Sequence, residues 1–372
     1  MDRDNSPQRP AVLQLISSLE VGGAERMLVN FVKSCTELPL FPQVVVVMNN
    51  QVDPDLASEL NATSDCTYYL GRPESSCNPR YIFQLIKIIQ RHNVAIIHSH
   101  NRGSKYWSMA CRLLKSNLKL VHTLHDTRIG MSSLDVLFHN LTIDATIAIS
   151  QAVSDEAAAL PIKRVKQIEN GIPISLFRSI SPQQNDPKVR IISVGRLFPE
   201  KKGQDVLIRA VKRCVDRGLD VECIFVGKPA AGDLHTLPML EALTSTLGLT
   251  GRVKFVQGRT DVASLLADAD IFVLPSRWEG FGLALVEAMA AGLPVIASNI
   301  DGPANVITDG SDGLLFESGS DEHLAEKITT LIQSPTLAQT LSTNGRLTSG
   351  KYDISTMRDR YVAVYKSLIA GG

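Results

Sequence analysis

The chain carries no net charge: 38 Lys and Arg balance 38 Asp and Glu over 372 residues. A molecule neutral in bulk does not gather nucleic-acid polyanions by overall electrostatics. No run reaches the roughly 18 apolar residues that mark a membrane-spanning helix. The opening MDRDNSPQRP is polar and broken by proline, without the apolar core of a signal peptide, so a cytoplasmic protein is expected. Six cysteines (Cys35, Cys66, Cys77, Cys111, Cys214, Cys223) include no C-x-x-C pair; free, mostly buried thiols are expected rather than disulfides or zinc. G-x-G-x-x-G is missing too, which leaves a dinucleotide site weakly supported.

The chain is ordinary in other respects. Apolar residues make up 44% and charged residues 20%, globular values far from disordered or collagen-like extremes. The length exceeds one hydrophobic core and favours two domains.

Short apolar runs alternate with helical patterns. AVLQLIS (11–17), VVVVM (44–48), VAIIHS (94–99), LKLVHTL (118–124), ATIAIS (145–150) and a run at 165–168 read as strands, with a helix from Ala24 after the first. Asn170-Gly171 and the Pro-rich PISLFRSISPQQNDP then read as a linker. The alternation restarts with VRIISVG (189–195), a helix from Gly203, VECIFVG (221–227), RVKFVQG (252–258), DIFVLP (270–275) and PVIAS (294–298). Apolar strands between helices indicate parallel sheets covered on both faces. The expected fold is α/β, with two doubly wound Rossmann-like domains facing across a cleft, the place where ligands bind in this architecture. The boundaries expected are 1–175 and 176–354, with a last helix, about 355–372, crossing back to the first domain.

Charge is uneven along the chain. Between 72 and 119 lie nine basic residues (Arg72, Arg80, Lys87, Arg91, Arg102, Lys105, Arg112, Lys115, Lys119) against Glu74 alone. YIFQLIKIIQRHN and KYWSMACRLLK within it have helical spacing. Two readings stay open: amphipathic helices with solvated basic faces, or a cationic patch that meets anionic lipid or a phosphorylated acceptor.

Three stretches carry chemistry. In SSLEVGGAERML, Gly22-Gly23 allows close backbone approach and the following helix offers free N–H groups. In SVGRLFPEKKGQD, Arg196 follows a buried strand, and Lys201 and Lys202 precede Gly203, where a helix begins. A guanidinium and an ammonium beside a helix N-terminus suit a pyrophosphate. In SRWEGFGLALVEAMAAGLPV, Gly280 and Gly282 fold the backbone tightly and a helix starts near Leu283. An anion fits that helix start. Glu279 and Glu287 flank it, and two acids beside an anion are favourable when they hold uncharged hydroxyls. Phosphate between two polyols describes a sugar nucleotide.

E-G-F-G-L-A-L-V-E resembles the E-x7-E signature of retaining glycosyltransferases of family 4, whose two-Rossmann-domain architecture is the GT-B fold. The likeness runs through VGGAERML, VHTLHD, IENGIP, GRLFPEKKG, FVG, VKFVQG, ADIFVLPSRWEGFGLALVEAMAAGLPVIAS and GPANVITDGSDGLLF. The resemblance implies a pyrophosphate clamp of Arg196 and Lys202, with Lys201 competing for the lysine role. It implies Glu279 on donor-sugar hydroxyls and Glu287 on the ribose. Backbone amides of Gly280, Phe281, Gly282 and Leu283 would surround the phosphates, and Gly22 and Gly23 would line the floor beneath them. Gln257 and Gly258 would hold the base, with Arg259 beside it. His125 would stand near the transferred sugar as a neutral imidazole.

Other patterns compete. Asp268-Ala269-Asp270 reads as D-x-D, a metal signature, but sits at a strand entry. His98, His100, His122 and His125 have spacings seen in zinc sites without a metallohydrolase motif. Asp126 beside His125 is a candidate base, and no carboxylate stands out as a covalent nucleophile. The expected activity is a retaining, metal-independent transfer of a hexose or N-acetylhexosamine from a nucleotide sugar, UDP-linked in expectation, to an acceptor hydroxyl. The acceptor expected is a glycan or lipid-linked molecule of surface-glycan assembly, with peripheral contact to an anionic membrane through 72–119. The alternatives are a nucleotide-sugar epimerase on the same fold and a non-catalytic sugar-nucleotide-binding protein.

Overall fold

A computed structural model describes residues 9–36, 41–178, 188–230, 232–259 and 261–371. The chain falls into two compact units. One holds the described residues up to Ile149, Val153–Ile168 and the C-terminal segment from Met357; the other holds Ser150–Ala152 and Glu169–Thr356.

The first unit is built on β1 (Ala11–Ile16), β2 (Gln43–Asn49), β3 (Cys66–Arg72), β4 (Val94–Ser99), β5 (Lys119–Leu124), β6 (Ala145–Ala148) and β7 (Val165–Gln167). They form one parallel sheet in the order β3-β2-β1-β4-β5-β6-β7. Every residue of β1 and β2 is buried, as helices on both faces require. Leu13, Leu15, Val44, Val46, Ile97 and Leu120 share one core with Tyr81, Leu85 and Ile89 of the helix Arg80–Arg91.

The second unit repeats the plan with β8 (Val189–Val194), β9 (Val221–Val226), β10 (Val253–Val256), β11 (Ile271–Leu274), β12 (Val295–Ser298) and β13 (Leu314–Phe316). The order is β10-β9-β8-β11-β12-β13, all parallel. Each sheet reverses its winding once, between β1 and β4 and between β8 and β11. The loops leaving the carboxyl ends on either side of such a reversal diverge and open a crevice for ligand.

Several expectations need correction. The stretch read as a linker contains the helix Ile174–Arg178, because Ile174 and Phe177 share a face and are buried; residues 179–187 lie outside the described residues. The basic stretch is not one patch. Arg72 is buried, donating to Asn49 Oδ1 at 2.6 Å and to the carbonyls of Glu74 and Ser76 at 2.7 and 2.6 Å. Lys105 is buried as well, with its ammonium over the Tyr106 ring and 3.8 Å from Met131 Sδ. Burial pulls it down to about 8, with Asp135 opposing and Arg102 assisting. The cysteines do match the expectation of free, mostly buried thiols: all six are free and four are buried, with Cys66 half-buried and Cys77 exposed.

Candidate active site

The second unit brings its chemistry to the reversal between β8 and β11. Gly195 directly follows β8 and Gly227 directly follows β9, packed so closely that a Cβ on Gly227 would stand 2.0 Å from the Gly195 carbonyl oxygen. Arg196 and Lys228 follow those glycines, and the Leu197 N–H donates to the Lys228 carbonyl at 3.0 Å. Two cationic residues therefore leave neighbouring strands side by side. Lys228 escaped the sequence reading, although the repeated pattern of an apolar strand, glycine and a cation (VGR, VGK, QGR) could have found it.

After Arg196 the chain makes the short helix Pro199–Lys202 and caps it with Gly203 at φ 65°. Gly203 lies against the end of β11, where a Cβ would meet the Pro275 carbonyl oxygen at 2.0 Å. That approach places the two lysines. Lys202 Nζ is hydrogen-bonded to Glu279 Oε2, an ion pair in which both side chains are mostly buried. Ser276 Oγ reaches the same oxygen at 3.4 Å. Lys201 turns the other way, its ammonium 5.9 Å from the Trp278 ring, which also packs edge-on to Phe198.

A second lashing joins these segments. Arg277 donates to Asp205 Oδ1 and Oδ2 at 2.8 and 2.7 Å and to the Pro199 carbonyl at 2.5 Å. The Arg277 N–H donates to the Lys201 carbonyl at 2.7 Å. Arg277 and Asp205 were missed because nothing local marks a pair formed between two distant segments.

Beyond Glu279 the Gly280-Phe281-Gly282 turn leads into the helix Leu283–Ala291, capped by Gly282 at φ 96° and closed by Gly292 at φ 85°. The turn is held from below. Ser150 Oγ donates to the Gly280 carbonyl at 2.7 Å, Phe281 is buried edge-on to Tyr352, and a Cβ on Gly302 would meet the Glu279 carbonyl oxygen at 2.4 Å. The helix buries Leu285, Val286, Ala288, Met289 and Ala290 and leaves Leu283 and Glu287 half-buried on the other side. Its amide dipoles give the Gly282 end partial positive charge, suited to an anion.

Other residues singled out above are placed as follows. Gln257, Gly258 and Arg259 are exposed after β10, and Arg259 is paired with Asp261. Asp270 is engaged in joining strands, accepting from the Arg190 N–H at 2.7 Å. In the first unit Gly22 caps the helix Gly23–Cys35 in extended backbone.

The histidines form a buried polar layer. His98 bonds Tyr365 Oη at 2.6 Å through Nδ1 and Thr123 Oγ1 at 2.7 Å through Nε2, and His100 Nε2 bonds Gln14 Oε1 at 2.7 Å. Their rings lie 4.2 Å apart, and His125 follows 5.7 Å from His100. Burial lowers all of them; His125 falls to about 4 despite the opposing charge of Asp126. Burial favours their neutral form, so His125 is not a cation at physiological pH, and its Nε2 is buried without a hydrogen-bond partner among the described residues.

The family models agree with this arrangement. Residues 21–176 match the model described as Glycosyltransferase Family 4, and residues 177–348 match Glycosyl transferases group 1. An uncharacterized glycosyltransferase of Methanocaldococcus jannaschii is 31% identical over 280 residues, which cover 71% of this chain and 73% of that protein. The Escherichia coli UDP-Gal:alpha-D-GlcNAc-diphosphoundecaprenol alpha-1,3-galactosyltransferase is 27% identical over 259 residues, 63% of this chain and 66% of that one. Among solved structures, Anabaena HepE in complex with UDP and glucose superposes with a TM-score of 0.84 at 24% identity, covering 96% of this chain and 100% of that one. The two Rossmann-like units are those of the GT-B fold, and the chain belongs to the family 4 glycosyltransferases.

Proposed function

We propose that the protein transfers a hexose or N-acetylhexosamine from a UDP-sugar to a hydroxyl of a lipid-linked glycan acceptor, with retention and without a metal ion. The observation that carries this reading is the Lys202–Glu279 pair, set beside the Gly282 end of the helix Leu283–Ala291. Donor pyrophosphate takes the ammonium of Lys202 and the guanidinium of Arg196, with Lys228 adjoining. Glu279, relieved of its cation, accepts from sugar hydroxyls, and Glu287 accepts from the ribose. The departing diphosphate is neutralised by fixed cations and helix amides, which stabilise charge as it develops. Gly280, Phe281, Gly282 and Leu283 supply those amides. Gly22 and Gly23, Gln257, Gly258 and Arg259 keep the floor and base-holding roles that the resemblance implies. His125, in the first unit like Gly22 and Gly23, takes the role of a neutral imidazole near the transferred sugar. A UDP donor is supported by HepE, solved with UDP and glucose, and by the E. coli galactosyltransferase, whose GlcNAc-diphosphoundecaprenol acceptor also supports a lipid-linked one. No helix among the described residues is long and apolar enough to cross a membrane, so contact would be peripheral.

Incubation of the purified protein with UDP-glucose, UDP-galactose and UDP-N-acetylglucosamine, followed by proton NMR, tests the reading without an acceptor. Slow release of UDP and an α-configured free sugar, unchanged by EDTA, is expected. A new epimer of the intact donor would establish the epimerase alternative, and binding of the donor without turnover would establish the non-catalytic sugar-nucleotide-binding alternative.

A further inference from the structure

The helix Ser133–Thr142, SLDVLFHNLT, has two apolar faces. Val136 and His139 point inward and are buried, with His139 Nε2 on Thr146 Oγ1 at 2.7 Å. Leu134, Leu137, Phe138 and Leu141 recur at three- and four-residue spacing, which places them within an arc of about 100° on the opposite side. Their exposures are 67%, 52%, 54% and 69%. Scattered exposed leucines need no explanation, but four on one helix face make a contiguous patch of the kind that marks an interaction site.

The rim of the patch carries more cations than carboxylates, balanced at the start of the helix and in excess at its end. At the start, Arg102 Nη2 reaches Asp135 Oδ2 at 3.0 Å. At the end, Arg112 donates to the Thr142 carbonyl at 2.8 Å, and Arg164 Nε donates to the Ile143 carbonyl at 2.8 Å. The Lys163 N–H meets Asn140 Oδ1 at 2.8 Å, and Lys163 itself is exposed. Guanidinium groups at a helix C-terminus complement its dipole, which accounts for their position and leaves the rim positive. The carboxylates nearby, Asp135 and Asp144, pair with Arg102 and Arg112, so the excess positive charge is that of Lys163 and Arg164.

We propose that this helix is a membrane-docking surface for an anionic lipid bilayer. It lies in the interface plane, with Leu134, Leu137, Phe138 and Leu141 in the acyl boundary and Arg102, Arg112, Lys163 and Arg164 among the headgroup phosphates. The charge argues for lipid over a second copy of the chain, since a two-fold pairing of this face would set the same cations against one another. The proposal rests on the lipid-linked acceptor in the reading above and locates its docking surface outside the basic stretch 72–119, apart from Arg102 and Arg112. The docked helix directly follows the loop that carries His125, so lipid headgroups would be delivered to that end of the sheet.

The test is co-sedimentation of the full chain with phosphatidylcholine vesicles, with and without about 30 mol% phosphatidylglycerol. Binding is expected only to the anionic vesicles and to weaken as salt rises. The double substitution Leu137→Ser/Phe138→Ser should weaken binding about a hundredfold, and Lys163→Ala about fivefold. Both variants should keep the wild-type thermal midpoint and rate of UDP-sugar hydrolysis in solution. Failure of the wild type to sediment with anionic vesicles at physiological salt overturns the proposal, as does unaltered binding by the double variant. A vesicle-free dimer that the double substitution dissolves would assign the face to a second copy. Intact vesicle binding without any donor hydrolysis would refute the donor reading and leave the surface standing.

Discussion

Arg277 grips Asp205 with two guanidinium nitrogens, at 2.8 and 2.7 Å, and so ties the loop carrying Glu279 to the helix that follows Lys202. Neither residue is proposed to touch the donor; their work is to hold those that do. Both are about one-third exposed, so solvent screening limits the pair to about 1–2 kcal/mol of stability. Arg277→Lys should lose the fork and lower kcat/KM for donor hydrolysis about tenfold, mostly through KM. Combined with Asp205→Asn, the losses should be less than additive in a double-mutant cycle; full additivity would show that the pair is not coupled.

The two lysines of PEKKG separate experimentally. Lys202 meets Glu279 and Lys201 meets Trp278. Lys202→Ala should cost on the order of a hundredfold in kcat/KM, the scale for removing a preorganised charge partner. Lys201→Ala should cost no more than about threefold, typical of an exposed cation–π contact. Equal losses measured side by side would give the clamp to both.

Gly203→Ala should destabilise the second unit by about 2–4 kcal/mol, combining a left-handed backbone with a clash against Pro275. Gly302→Ala should act in the same way through the Glu279 carbonyl. Gly218, at φ 82° with open space around it, supplies the control: Gly218→Ala should cost only about 1 kcal/mol. Urea denaturation of the three variants measures the differences.

Acid should unfold the first unit early. His98, His100, His122, His125 and His139 all have their folded-state pKa lowered by burial, His125 and His139 to about 4 from an ordinary 6.5; Lys105 and Arg164 add to the shift at His139, and Asp126 opposes it at His125. Above pH 6.5 both folded and unfolded chains keep them neutral. Below it the unfolded chain takes up protons that the folded one refuses, so stability falls by about 1.4 kcal/mol per pH unit for each histidine, down to the folded value. Urea midpoints between pH 7.5 and 5 should show the decline. His139→Gln should flatten it by one histidine's share.

The strand–helix alternation, the glycine turn and the helix start at Leu283 were legible because each is written in neighbouring residues. β3 escaped because CTYYLGR is half-exposed and lacks an apolar run, and β13 because three residues carry no periodicity. Arg72 and Lys105 looked like surface charges since a sequence shows a cation but not the carbonyls, ring or thioether that surround it. The Arg277–Asp205 fork and the Lys228–Arg196 adjacency depend on which strand ends the sheet sets together. The apolar outer face of Ser133–Thr142 was hidden because outward leucines look like core residues until burial shows that Val136 and His139 face inward instead.

The last helix, Ile354–Ala370, brings Tyr361 and Tyr365 to the histidine layer of the first unit, where Tyr365 bonds His98 and Gln14. The first unit is thus begun before the second unit in the chain and completed after it. During synthesis its polar layer waits for those tyrosines while the whole second unit emerges, and a nascent chain is exposed to misassembly until that helix has followed. Residues 1–168 expressed alone would lack those tyrosines, so a dissected first unit needs the C-terminal helix supplied with it.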